Sequence, residues 1–303
     1  MKIVFLDSYT LNPGDLDDTP LTSIGNLISY DRTKGDEIVD RIGDAKYVLV
    51  NKTPITSNTM DACPNLEYIG VAATGYNIID IEAAEERGIA VCNAPAYSTE
   101  AVAQHTFSLI FELTNKVGQY DKTVRDGEWH RCKDFAYTLA PIPMLASKSL
   151  GIIGYGNIGK AVGKVAEALG MKVNVYSRDK DACISSDIIT IHCPQTKENE
   201  GMIDSDFISR MKDGALLINT ARGGLLNEED VAEALRKGKL GGFAADVLPL
   251  EPPADPNPLI GIPNSIITPH IAWMATEARE RLIKICADNL KSYIEGGNLN
   301  RVV

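Results

Sequence analysis

The chain is short of basic charge. Its 303 residues carry 30 Lys and Arg against 41 Asp and Glu, a net charge of −11 at pH 7. Such a surface repels phosphate backbones and anionic headgroups, which argues against DNA, RNA and anionic membranes as main partners. Long hydrophobic runs are missing too: nothing approaches the roughly 20 apolar residues of a membrane span. The opening Met1–Asp7 holds only Ile3, Val4, Phe5 and Leu6 before its first acid, too few for a secretory core. The six cysteines contain no CxxC pair, and the four histidines do not join them at ligand spacing. A disulfide framework and a zinc site are therefore not expected, no metal is expected, and the thiols read as reduced residues of a cytoplasmic protein.

What is present is ordinary for a globular chain, with 44% hydrophobic and 23% charged residues. The length predicts two domains. One stretch organises them. Leu150, Ile152 and Ile153 read as a buried strand, followed by Gly154, Gly156 and Gly159 at GxGxxG spacing. A helical stripe follows (Ile158, Ala161, Val162, Val165, Ala166, Leu169) and stops at Gly170, and Met171–Tyr176 reads as a second strand. In the order strand, turn, helix, strand, the motif is a dinucleotide fingerprint. Gly154 permits the tight turn, Gly156 lets a pyrophosphate approach the backbone, and Gly159 lets helix and strand pack closely. Tyr155, Asn157 and Ile158 complete the turn at a helix N-terminus that attracts phosphate.

Before this motif, apolar runs at 3–6, 27–30, 47–50, 68–71 and 89–92 alternate with helical patterns at 36–42, 57–62 and 81–87. That alternation predicts a second parallel sheet covered by helices. Two loops at its strand ends are candidate binding loops: Asn51–Pro54 with Lys52, and Ala72–Asn77 with Thr74 and Gly75. Singly, each has a plainer reading, as a surface lysine or an ordinary turn. A helix opening at Ser98 or Thr99 leads to the nucleotide domain, and 120–148 reads as irregular, either an arm, an intersubunit contact or a surface loop. Later strands at 188–193, 215–219, 242–247 and 265–268 end in Cys193-Pro194, Thr220-Ala221-Arg222, Asp246 and Pro269-His270, on the cofactor side of a parallel sheet. From Met274 a helix is expected to run to the end of the chain and return to the first domain.

One absence sits inside the motif. An acid about 20 residues past the glycines normally binds the adenosine ribose hydroxyls. Here the second strand ends Tyr176-Ser177-Arg178. Ser177 and Arg178 suit a 2′-phosphate, which leans the cofactor, NAD or NADP, toward NADP, although Asp179 and Asp181 follow closely. Only Ser177–Ser186 then separate the second strand from the next. Ten extended residues span about 33 Å, enough to recross the sheet, so the third strand of the nucleotide fold is expected to be missing and the adenine pocket more open.

Arg222, Glu251 and His270 lie at or just beyond successive strand ends. Redox chemistry at a carbonyl needs an acid–base group, a carboxylate to orient it and a cation to clamp an acid substrate, and these three residue types supply them. The sequence resembles the D-isomer-specific 2-hydroxyacid dehydrogenase family over nearly its whole length, on Gly154–Gly159, Asn219–Gly224, Ala245–Pro252 and Thr268–Trp273. The openings Asp7–Gly14, Asn51–Pro54 and Ala73–Asn77, with Trp273, resemble its glycerate dehydrogenase (hydroxypyruvate reductase) branch. The resemblance implies catalytic Arg222, Glu251 and His270, a carboxylate loop at Thr74–Gly75, and nicotinamide contacts at Thr220, Ala221 and Asp246. It also implies a small 2-keto or 2-hydroxy acid as substrate, and a homodimer formed through the nucleotide domain. The expected architecture is α/β, with two doubly wound parallel-sheet domains. Residues 1–97 plus 274–303 form a flavodoxin-like substrate domain, and 98–273 a Rossmann-type domain with a shortened edge. An NAD(H)-sensing binding protein on the same fold is the alternative function. Phosphite or formate oxidation is a third.

Overall fold

Short runs of Val, Ile and Leu become strands where both faces can be covered, because such runs expose no polar face that needs water. The computed structural model describes residues 1–303. In it these runs form two sheets, in two compact units: Met1–Ser98 with Met274–Val303, and Thr99–Trp273.

In the first unit the strands are β1 (Lys2–Phe5), β2 (Asn26–Ser29), β3 (Tyr47–Val50), β4 (Tyr68–Val71) and β5 (Ala90–Cys92). All pairs are parallel and the order is β2-β1-β3-β4-β5, the flavodoxin-like order. Val4, Leu6, Val48, Val50, Ile69 and Val91 form one core with Ile38, Ile42, Met60 and Ala84 from the helices. The helix Thr276–Ile294 closes the unit, burying Leu282, Ile283, Cys286 and Leu290. Each fully buried Leu or Ile contributes about 1.5–3 kcal/mol. Arg279 fixes this helix by a forked pair with Asp15, at 2.9 and 2.7 Å. The helix does not run to the end of the chain as expected. The last residues leave it and pair with β5, Val302 N to Val91 O at 2.7 Å and Val91 N to Val303 O at 3.0 Å, so that edge is not left open.

In the second unit β6 (Ser149–Ile153), β7 (Lys172–Val175), β8 (Ile188–Ile191), β9 (Ala215–Asn219), β10 (Leu240–Ala245) and β11 (Ser265–Ile267) pair in parallel in the order β11-β10-β9-β8-β6-β7. Strand β7 is the edge: the third strand of the 3-2-1-4-5-6 arrangement is absent, as the short connection implied. The connection itself is not extended. Residues Lys180–Ile184 form a helix capped by Asp179, whose Oδ1 accepts from Ala182 N at 3.0 Å. Cys183 and Ile184 join the core of Phe207, Val231 and Leu235, while the helix Asn157–Ala168 buries Val162 and Ala166 in a separate core with Phe107 and Ile110. The two helices thus cover separate hydrophobic layers, which keeps the reduced sheet doubly wound. Gly151 makes the approach possible: a Cβ there would stand 2.4 Å from Cys183 O.

The stretch 120–148 is less irregular than expected. Helices span Val117–Arg125 and Glu128–Arg131, and the chain is then without regular structure until a single turn at Leu145–Ser147. Neither helix buries a residue, so the short stripe of Val117, Tyr120 and Val124 in the first is weak against its polar neighbours. The first carries local pairs instead, Lys122–Asp126 at 2.7 Å and Arg125–Asp121 at 2.8 Å. No helix of the protein is long and apolar enough to cross a membrane.

Candidate active site

The glycine turn after β6 shows three different constraints. Gly154 has φ 93°, a conformation that excludes ordinary side chains, and a Cβ there would lie 2.4 Å from Cys193 N. At Gly159 a Cβ would meet Gly154 O at 2.1 Å. Gly156 differs: a Cβ there would meet no protein atom within 4 Å. It caps the helix that opens with Asn157 and Ile158. So the protein leaves open space at the one glycine expected to face a pyrophosphate, in front of unpaired helix N–H groups. The turn fits a dinucleotide.

Beyond β7, the Arg178 guanidinium stands 5.1 Å over the Tyr155 ring, and Lys180 Nζ 5.5 Å over Tyr176. Both nearby acids have local roles. Asp179 caps the short helix, and Asp181 pairs with Arg210 at 2.9 Å. Cys193 and Pro194 follow β8, and Thr220 and Ala221 follow β9. Thr220 Oγ1 is 3.1 Å from Thr106 Oγ1 and 3.4 Å from His192 Nδ1, and His192 Nε2 is 2.9 Å from Thr190 Oγ1. His192 keeps a little accessible surface, but burial of its ring pushes the imidazole down to about 3. It is neutral at physiological pH.

Arg222 is exposed on the loop after β9, its Nη1 donating to Ala221 O at 2.7 Å and its carbonyl accepting from Asn219 Nδ2 at 2.9 Å. The two glycines after it are explained by contact. A Cβ at Gly223 would stand 1.9 Å from Leu248 C, and one at Gly224 would stand 2.4 Å from the Gln195 amide. The Arg222 loop therefore lies directly against the loop that carries Glu251. Glu251 Oε1 accepts from Leu248 N at 3.0 Å, and Oε2 lies 2.6 Å from His270 Nδ1. The carboxylate can only accept there, so Nδ1 carries a proton and Nε2 is left to exchange one. The two side chains are 27% and 36% exposed, accessible to a ligand yet constrained by each other.

Asp246 follows β10. Its side chain is fully buried, and its oxygens accept from Thr268 Oγ1 at 2.6 Å, Ile271 N at 2.9 Å and Ala272 N at 2.8 Å. Burial alone would push the carboxyl up. The bonds from His105, Thr268 and the Ala272 and Ile271 amides outweigh it, and the pKa falls below the ordinary value. A carboxylate so enclosed braces the His270 loop.

In the first unit, Lys52 is exposed on a loop fastened by one carboxylate. Asp7 accepts from Asn51 N, Lys52 N and Thr53 N at 2.7, 2.6 and 2.7 Å. The Thr74–Gly75 loop is held by Thr74 Oγ1 donating to Ala94 O at 2.9 Å and Asn93 Nδ2 donating to Thr74 O at 2.7 Å. No three His, Cys, Asp or Glu side chains gather as a metal site. The sequence reading missed Asp7, and it missed His105 on the helix Thr99–Asn115. Asp7 was marked by its strand-end position and by the Asp7–Gly14 segment, neither of which shows that it caps the Lys52 loop. His105 left a clearer signal, since it falls three residues after Val102 and one before Thr106 on the buried stripe.

Comparison with known proteins agrees with this geometry. The domain described as "D-isomer specific 2-hydroxyacid dehydrogenase, NAD binding domain" matches residues 107–272. A hydroxypyruvate reductase of Blautia hydrogenotrophica is 42% identical over 320 aligned positions, covering 100% of this chain and 99% of that one. A glycerate dehydrogenase of Methylorubrum extorquens is 39% identical, covering 99% and 98%. Among solved structures, an acyclic imino acid reductase in complex with NADPH and D-Arg superposes with a TM-score of 0.86 at 28% identity, covering both chains fully. With a glycine turn built for a dinucleotide, a His–Glu pair on adjoining strand ends and full-length relatives of this kind, the chain belongs to the D-isomer-specific 2-hydroxyacid dehydrogenase family, as an oxidoreductase that acts on CH–OH groups with a nicotinamide dinucleotide.

Proposed function

We propose that this enzyme reduces hydroxypyruvate and glyoxylate to D-glycerate and glycolate. The observation that carries the reading is the 2.6 Å pair of His270 and Glu251 beside the Arg222 loop, supported by the named activities of the 42% and 39% identical relatives. Bound NAD(P)H supplies the hydride. His270 Nε2 gives a proton to the carbonyl oxygen, which becomes the hydroxyl. Glu251 keeps the Nδ1 proton in place and stabilises the charged imidazolium before transfer. Arg222 clamps the keto acid through its planar fork, and Thr74–Gly75 with Lys52 bind its carboxylate.

Gly154–Gly159 hold the pyrophosphate, Thr220, Ala221 and Asp246 lie at the nicotinamide, and Cys193 and Pro194 line the cofactor site. The cofactor is NADP in preference to NAD: Ser177 and Arg178 take the 2′-phosphate, and the Tyr155 ring under Arg178 holds the guanidinium at that end. The local engagement of Asp179 and Asp181 supports this, as does the NADPH bound by the imino acid reductase. The unit Met1–Ser98 with Met274–Val303 binds the substrate and the unit Thr99–Trp273 the nucleotide. A homodimer forms through the nucleotide unit, where Trp129, Phe135, Ile142 and Met144 are exposed at 53, 92, 51 and 71%. Six unpaired cysteines support a cytoplasmic location.

A panel of 2-keto acids with NADH and NADPH, run on the wild type and His270→Ala, tests this. Hydroxypyruvate and glyoxylate should turn over with NADPH preferred, and His270→Ala should lose about 10²–10⁴ in kcat. Near-normal turnover by His270→Ala would remove the acid–base assignment. Cofactor binding with no turnover of any keto acid would favour the NAD(H)-sensing alternative.

A further inference from the structure

A second histidine lies behind the His270–Glu251 pair and is not needed for the proton transfer. His105, 18% exposed on the helix Thr99–Asn115, has Nε2 3.0 Å from Thr268 Oγ1 and 3.4 Å from Asp246 Oδ1. The hydrogens can be assigned in order. Asp246 is ionised and accepts only, so the 2.6 Å contact with Thr268 Oγ1 is a bond donated by the hydroxyl. Thr268 Oγ1 has then used its proton and can only accept from His105. Nε2 of His105 is therefore protonated and donates.

This cluster is attached to the backbone on both sides of His270. Thr268 is held through its hydroxyl, and Ile271 and Ala272 through their amides on the Asp246 carboxylate. His270 N donates to Asp246 O at 2.8 Å. Between these anchors His270 has φ 54°, a left-handed backbone uncommon for any residue but glycine, and one that persists only when its surroundings over-determine it. We propose that His105 is a positioning residue of the reaction: through Thr268 and Asp246 it holds the left-handed turn that sets the His270 ring against Glu251. The inference rests on His270 being the acid–base group. It gives Asp246 a structural task and assigns a role to a histidine on the helix Thr99–Asn115.

The test compares His105→Leu, His105→Gln and Thr268→Val with the wild type and with His270→Ala, measuring kcat and KM with hydroxypyruvate, cofactor Kd and Tm. Misplacing a catalytic group by about 1 Å costs up to about 10²-fold. His105→Leu should lower kcat about 10- to 100-fold, with cofactor Kd and Tm nearly unchanged. His105→Gln keeps an N–H donor at the position of Nε2 and should recover most of the loss. Thr268→Val should reproduce His105→Leu, and the double variant should be no worse than either alone, because both break one chain of bonds. If His105→Leu does not fold, Thr268→Val and the glutamine variant carry the test. Wild-type kcat in His105→Leu and Thr268→Val, beside an inactive His270→Ala, overturns this inference and leaves the proposed function intact. A loss shared between kcat and cofactor Kd overturns it in favour of a cofactor-binding role. Full activity in His270→Ala overturns both.

Discussion

At the residue scale, a histidine works as a proton donor only if its tautomer and direction are set. The 2.6 Å bond to Glu251 sets the tautomer of His270, and Leu248 N holds the other carboxylate oxygen. Glu251→Gln keeps the shape and an acceptor but removes the charge that stabilises the imidazolium. Its kcat should fall about 10²-fold or more, with KM and Tm little changed because the pair is partly exposed; a kcat within a few-fold of wild type would assign Glu251 no part in catalysis. His270, Glu251 and Arg222, the proposed catalytic residues, were legible as candidates because their residue types suit the chemistry and each follows a recognisable strand. Asp246 was legible as a strand-end acid, but its bonding was not. Burial and four internal donors decide that its carboxylate faces the protein, and neither can be seen in Ala245-Asp246-Val247.

At the scale of elements, the turn between β6 and the helix Asn157–Ala168 separates binding from folding. A Cβ at Gly156 meets nothing, and φ there is −78°. Gly156→Ala should therefore keep the wild-type Tm and lose cofactor affinity, by about tenfold or more, equivalent to at least about 1.4 kcal/mol. A Cβ at Gly159 would sit 2.1 Å from Gly154 O. Gly159→Ala should destabilise the second unit by about 1–3 kcal/mol through overpacking, lowering its Tm by roughly 2–4 °C per kcal/mol. Calorimetry and cofactor titration on the two variants separate these effects. Equal Tm losses would refute the division of labour. The strands themselves were readable because parallel strands buried on both faces are continuous apolar runs, β9 at Ala215–Asn219 being found to the residue. The helix Val117–Arg125 was not read although Val117, Tyr120 and Val124 recur at helical spacing, since it is polar on average and buries nothing, which leaves that stripe weak.

At the scale of the molecule, acid should act first on the nucleotide unit. His192 is held at about 3 in the folded state, against about 6.5 for an unperturbed histidine. Its folded pKa is depressed, so below pH 6.5 the unfolded chain binds the extra proton. Stability is fully present above that pH and is lost progressively as pH falls toward 3. The Tm of the wild type should decline already between pH 6.5 and 5, before most carboxylates titrate, and His192→Asn should flatten that decline. An identical slope in both proteins would exclude His192 as its source. Asp187, held at about 2 by Lys212 and Ser149 against the cost of its burial, adds a loss only at far lower pH.

Local patterns determined a good deal by themselves. The apolar runs, the glycine spacing and the polar strand ends specify two wound sheets, the turn proposed to hold a pyrophosphate and the three residues proposed for the chemistry, because each depends on near neighbours in the chain. The loss of the third strand was also written locally, in the ten residues 177–186. Other features wait on tertiary structure because they depend on residues far apart in sequence. Gly151 must admit the helix around Cys183, and Gly223 must pass Leu248. His105 meets Thr268 across 163 positions, and Asp7 meets Asn51 across 44. A hydrogen bond is satisfied by whatever the fold brings within about 3 Å, and the sequence order of these residues carries no record of that distance.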